Sequence, residues 1–374
     1  MELTSSRPSP LTTKMTTLWV LMHVAAQRDY ELHSLDFSTA FLQGSLHEEI
    51  RLRRPPGITG SFPAGTQWSP GCQSTVSARH LTTWFATADT EALTHMKSEL
   101  QKRHTCTDLG ELTSYLGLRI TRDRAQRIIT LTQSHMVQQV LQRFGFTYSS
   151  PQSTPLPTGH SLSAPPSDES IEPSGSYPEL VGCLMYLMTC TRPDLAYPLS
   201  ILARYIAPGR QRKEHMDVAK RVLRYLCNTS GMGLVLGGRA RVILTSHAGA
   251  SWVEDLATQR SSQGYTFSLG SGSVSWRLPA RPLFSARVVR LRSMLRYGCT
   301  GDMLAHLPAD RLGRGACSPP VLYVDNRLEH RLEHRTKHIA LRYFLARELQ
   351  QRGQLGFAYV ATRANTADIF TKAL

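Results

Sequence analysis

Lys220, Arg221 and Arg224 recur at three- and four-residue spacing, which brings side chains to one side of a helix. Cations placed this way can neutralise neighbouring phosphates together, or can simply form a solvated basic face. A second constellation is His330 and His334, four residues apart, with His306 and His338 in the surrounding sequence. Two imidazoles at that spacing could face one metal ion. They belong, however, to a tandem repeat, Arg327-Leu-Glu-His330 and Arg331-Leu-Glu-His334, which reads more simply as duplicated or rejoined sequence. The seven cysteines include no C-x-x-C pair, so neither a zinc site nor a disulfide framework is expected.

The 374 residues carry 43 Lys+Arg against 28 Asp+Glu, a formal charge of +15, which suits a polyanionic partner, nucleic acid first. Between positions 277 and 317, eight of 41 residues are Arg and two are acidic, but Gly298, Gly301, Pro308, Gly313 and Gly315 interrupt any regular pattern. Irregular sequence is expected there rather than a basic groove. With 41% apolar and 19% charged residues a sizeable core is expected and wholesale disorder is excluded. No apolar stretch is long enough to span a bilayer, and residues 1–14 lack the build of a secretion signal. The expectation is an intracellular protein, cytoplasmic or nuclear, neither secreted nor bound to membrane.

The elements that must position these groups fall into blocks. A helix is expected over 90–101, then strands at 115–121 and 128–132 around a polar turn, then a helix opened by Ser134 and closed by Gly145. Residues 148–178 hold nine Ser and seven Pro among 31, a composition too polar and proline-punctuated to pack, and read as a linker. Beyond it, Val218, Ala219, Val222, Leu223 and Leu226 form the apolar stripe of a helix, with Lys220, Arg221 and Arg224 on the other face. Strands are expected at 242–246, 265–269, 273–276, 321–324 and 357–360, with a helix at 339–351. The fold class is α/β (α+β), divided as 1–147, linker 148–178, helical region 179–240, and a mixed-sheet domain at 241–374.

Four groups of motifs occur in order. Leu35-Asp-Phe-Ser-Thr-Ala-Phe-Leu-Gln-Gly44 is followed by Glu48-Glu49-Ile50 and Pro55-Pro-Gly57, then by Asp108-Leu-Gly-Glu-Leu112 with Tyr115-Leu-Gly117. Next come Tyr177-Pro-Glu-Leu-Val-Gly182 and Thr191-Arg-Pro-Asp-Leu-Ala196. Last are Ser261-Ser-Gln-Gly-Tyr265, Val274-Ser-Trp276, Tyr323-Val-Asp-Asn326, Arg335-Thr-Lys-His-Ile339 and Ala367-Asp-Ile-Phe-Thr-Lys372. Together they resemble the Pol polyprotein of Copia-type retrotransposons. The resemblance implies a truncated reverse transcriptase (an incomplete palm with a thumb remnant), a helical connection region and a ribonuclease H-like mixed sheet with helices.

It also implies Mg2+ chemistry, because both enzymes set hard carboxylate ligands around two metal ions. Asp36 matches the first polymerase aspartate, but no Tyr-x-Asp-Asp hairpin precedes Asp108: residues 69–80 contain no carboxylate, and Asp89 lies in sequence matching beyond the missing hairpin. Asp325 and Asp368 match two ribonuclease H carboxylates and are the candidate metal ligands. Gly249 in Ala248-Gly-Ala-Ser-Trp252 stands where the family has Asp, and the acidic helix expected after Trp276 contains no Glu. The resemblance thus implies a degenerate fragment in which Mg2+ is not bound productively. One alternative is a sequence-independent nucleic-acid-binding remnant, gripping RNA, DNA or the hybrid through Lys220, Arg221 and Arg224, with other Pol chains as further partners. Another is a weak ribonuclease H using Asp255 or Glu254. The palm remnant is expected to be too short to close its own sheet.

Overall fold

The computed structural model describes residues 15–37, 81–157, 176–207, 211–239, 243–250, 260–270, 272–277, 280–282, 321–324, 351–353 and 356–373. In chain order the elements are α1 (Met15–Gln27), β1 (Glu31–Phe37), β2 (Leu81–Thr87), α2 (Thr90–Arg103), β3 (Cys106–Glu111), β4 (Ser114–Tyr115), β5 (Leu118–Asp123), β6 (Ile128–Thr132), α3 (Ser134–Arg143), α4 (Ser176–Cys190), α5 (Ala196–Leu202), α6 (Lys213–Asn228), β7 (Gly233–Gly237), β8 (Leu244–Ala250), β9 (Arg260–Leu269), β10 (Gly272–Arg277), β11 (Ala280–Pro282), β12 (Val321–Val324) and β13 (Gly356–Tyr359). The architecture is mixed α/β. Asp325, Asn326, Glu254, Asp255, all four singled-out histidines, residues 69–80 and most of the expected helix at 339–351 lie outside the described residues.

Two compact units emerge, one of Tyr30–Tyr115 and one that joins Met1–Asp29 to Leu116–Leu374. This division differs from the sequence-based one, which kept 1–147 together. In the smaller unit β1 lies between β2 and β3 with antiparallel pairing on both sides. This segment, expected to be too short to close its own sheet, does build one, because β3 supplies the second neighbour for β1. Leu32 and Leu35, on opposite faces of β1, are both buried, and Leu93 of α2 is buried as well. Helix α2 starts where Asp89 accepts the backbone N–H of Glu91 and Ala92 at 2.9 and 3.0 Å. Lys102 and Arg103 in its last turn complement the helix dipole.

In the larger unit, β5 and β6 form the expected hairpin, and β7 extends it antiparallel, Ile128↔Gly237 to Thr132↔Gly233. Helix α1 packs on β6, β7 and β10, and its His23 Nδ1 accepts the backbone N–H of Gly237 at 3.0 Å. Gly237 has φ +92° and a Cβ there would stand 2.3 Å from the Arg127 carbonyl, so only glycine allows this close approach. Helices α3 to α6 share one apolar core built on Val140, Leu184, Leu187, Leu199, Val222 and Leu226. Leu156 and Tyr177 are fully buried in the same core, so the Ser/Pro-rich stretch packs at both ends. The composition had hidden this, because one Leu and one Tyr suffice to anchor a polar segment.

The remaining strands form a mixed sheet in the order β10-β9-β8-β12-β13, with β9 antiparallel to β8 and β10, and β12 parallel to β8 and β13. Residues 280–282, expected to be irregular, instead pair as β11 with Arg260 to Ser262 of β9.

Candidate functional site

The sheet brings Asp368 to the position of greatest chemical interest. Asn365 ends the chain's approach by donating its side-chain amide to the carbonyl of Ala248 at 3.1 Å, while its side-chain oxygen accepts the N–H of Ala367 at 3.1 Å. That fixes the 3-10 turn Thr366–Phe370 against β8 and β9. Gly264 leaves room for the Phe370 ring, whose Cβ would lie 2.3 Å from a Cβ at that position. The result is that Asp368 Oδ1 stands 3.4 Å from where a Cβ of residue 249 would be. Asp368 Oδ2 is already occupied by Lys372 Nζ at 2.6 Å. Val324 pairs in register with Ala248, one residue before Gly249, and Asp325 lies just past the described span.

Among the described residues, the donor set at this corner does not fit a divalent metal. Mg2+ requires several oxygen ligands at near-ideal geometry, and a pair of ions needs several carboxylates. The described residues supply one carboxylate, bonded to an ammonium group, facing a glycine. No group of three or more His, Cys, Asp or Glu able to hold a metal occurs among the described residues.

Asp36 is the next-to-last residue of β1, opposite Thr82 of β2 and Thr107 of β3. Both of its cross-strand neighbours are threonines. The chemically denser cluster in this unit is one that sequence reading missed. Lys97 Nζ, reaching from α2, donates to His33 Nδ1 at 2.7 Å and to both carboxylate oxygens of Asp108 at 2.8 Å. Asp108 also accepts the Gly110 N–H at 2.9 Å. Burial pushes the Asp108 carboxyl up, but the Lys97 and Gly110 hydrogen bonds and the Lys97 and His33 charges outweigh it and hold it below its usual range. Asp108 of the quoted Asp108-Leu-Gly motif thus ties β3 to α2 and, through Lys97, to His33 of β1.

Arg192 and Asp194 behave in the same way. Arg192 is 2% exposed and its Nε and Nη2 grip both oxygens of Asp194 at 2.7 to 3.2 Å. Nη1 and Nη2 also reach the carbonyl and hydroxyl of Thr229 at 2.9 and 2.8 Å, and Tyr225 donates to Asp194 at 2.8 Å. Burial works against the guanidinium charge, and Asp194 and Tyr225 more than offset it. The Tyr225 phenol is pushed up to about 12 by burial and the adjacent carboxylate.

The expected cationic helix is α6. Lys220, Arg221 and Arg224 do share a side of it, but all three are half-buried. Arg221 donates to Thr154 Oγ1 at 3.0 Å, and Arg224 lies over the Phe146 ring at 5.9 Å. Part of this face therefore holds the chain between α3 and residue 157 in place. No helix among the described residues is long and apolar enough to cross a membrane.

No family model matches the chain. It is 29% identical, over 418 aligned positions, to the Retrovirus-related Pol polyprotein from transposon TNT 1-94 of Nicotiana tabacum, covering 96% of this chain and 31% of that protein. It is 27% identical over 422 positions to the corresponding polyprotein from transposon RE2 of Arabidopsis thaliana, covering 96% and 28%. The chain spans less than a third of the length of these curated relatives. Among solved structures it is similar to the foamy viral protease-reverse transcriptase in complex with dsDNA, with TM-score 0.39 and 13% identity over 75% of this chain and 53% of that one.

Proposed function

We propose that this chain, similar over 96% of its length to retrotransposon Pol polyproteins, is a degenerate Copia-type member that retains neither polymerase nor ribonuclease H activity. The observation that carries this reading is the corner at Gly249: the residue facing Asp368 has no side chain, and Lys372 occupies the carboxylate. The catalytic remnants are then Asp36 for the polymerase and Asp325 with Asp368 for the nuclease, and Mg2+ is not held productively by them. An end-labelled RNA–DNA hybrid incubated with Mg2+ and the full chain tests the nuclease half. Wild type and Asp368→Asn should be equally inert, and cleavage that disappears in Asp368→Asn would overturn the proposal. For the polymerase half, incorporation of labelled nucleotide above that of Asp36→Asn would do the same.

A second reading is supported by the charge of +15: sequence-independent binding of RNA, DNA or their hybrid. Of the α6 cations, Lys220 has the most freedom to contribute, since Arg221 and Arg224 are engaged with Thr154 and Phe146. The scattered cysteines support an intracellular setting for such a partner.

A further inference from the structure

We propose that the corner made by the β5–β6 turn, the end of α1 and the residue after Gly238 is where this chain takes the phosphates of nucleic acid. The inference deepens the binding reading by giving it a surface. Arg124, Arg127 and Arg239 are all exposed there, and Arg122 flanks them. Arg127 donates to the carbonyl of Gln27 at 3.1 Å, and Arg239 donates Nε and Nη2 to the carbonyl of Ala125 at 3.2 and 2.7 Å. Carbonyl acceptors fix the direction of a guanidinium without cancelling its charge, and each guanidinium has five N–H donors. The turn itself is fixed as well, by the Gly238 N–H on the Arg127 carbonyl at 2.7 Å and the Gln126 N–H on Asp123 at 2.9 Å.

Charge is uneven at this corner. Arg122 and Arg124 share a single oxygen of Asp29, at 2.6 and 3.2 Å. Arg127 and Arg239 are held by backbone carbonyls, whereas Arg221 and Arg224 of α6 are engaged with Thr154 and Phe146.

The test uses the full chain and fluorescein-labelled duplex DNA, with anisotropy read across a salt series. Each phosphate contact contributes about 0.9 to the slope of log affinity against log salt. Arg124→Ala, Arg127→Ala and Arg239→Ala together should make the slope shallower by about two to three, while the same three changed to Lys should retain most of it. Lys220→Ala, Arg221→Ala and Arg224→Ala together should make the slope shallower by no more than about one, the single contact left to Lys220. Asp29→Asn removes the carboxylate and should tighten binding, which a merely structural corner would not do. The corner is overturned if its Ala triple keeps the wild-type slope, or if only the α6 triple reduces it. Wild type that fails to bind at all overturns the binding reading too, and is distinguishable from those outcomes.

Discussion

Two motif-bearing places in the larger unit, the Arg192–Asp194 pair and the Asp368 corner, carry a carboxylate beside a cation and have opposite fates. At Arg192 every long contact is filled: a guanidinium 2% exposed, both oxygens of Asp194, Thr229 and Tyr225. That network ties the end of α4 to the end of α6. At Asp368 the pair with Lys372 is local, four residues apart, and the lysine side chain is half exposed. Nothing across the sheet depends on it, because Gly249 offers only backbone. Residues that hold helices together keep all their partners, whereas a residue that only chemistry requires can lose its partner with little cost to the fold.

The comparison can be broken most sharply at Asp194. Asp194→Ala would leave a buried guanidinium without its counter-charge, a loss of about 3 to 5 kcal/mol. Urea unfolding should show it, and a change below about 1 kcal/mol would erase the contrast.

His23, on a helix no motif marks, should come next. Burial lowers its pKa from 6.5 to about 4, so the native state binds the imidazole neutral while the unfolded chain protonates earlier. The unfolded state then binds more protons between those values, so stability is fully present above pH 6.5 and falls as pH drops toward 4. At about 1.4 kcal/mol per pKa unit the loss is about 3 kcal/mol. His23→Gln should flatten that pH dependence in urea titrations at pH 7 and 4.5, and an unchanged profile would assign the acid sensitivity elsewhere. Asp108, held below its usual range, adds its own loss only at still lower pH, as pH falls through its depressed pKa.

Gly249→Asp should cost about 1 to 2 kcal/mol, since its Cβ would meet the Ala367 carbonyl at 3.3 Å and its charge would face Asp368. A midpoint unchanged from wild type would mean that Asp368 is not its neighbour. Smallest of all should be Asp368→Asn, within about 1 kcal/mol, because partly exposed local ion pairs contribute little.

Much of this was legible. The stripe Val218, Val222 and Leu226 with its interleaved cations announced α6, and Val321 to Val324 gave β12 to the residue. Helix α1 was not legible, because it is apolar nearly all round, with Leu18, Trp19, Val20 and Met22 all buried, and so shows no stripe. Strand β7 reads Gly-Leu-Val-Leu-Gly, too short and glycine-bounded to signal its pairing with β6. At the candidate site, the motif around Gly249 singled out the position that faces Asp368. The Lys97–His33–Asp108 cluster was not, since it depends on the bulge that puts Asp108 opposite Leu35, two residues along β1 from His33.

The central claim is that the Asp368 corner has lost its metal, and its most direct test is the effect of Mg2+ on thermal unfolding of the full chain. A productive site would raise Tm with ion concentration by binding the native state alone. Wild type and Asp368→Asn should respond to Mg2+ identically. A rise in wild-type Tm that Asp368→Asn abolishes would contradict the account.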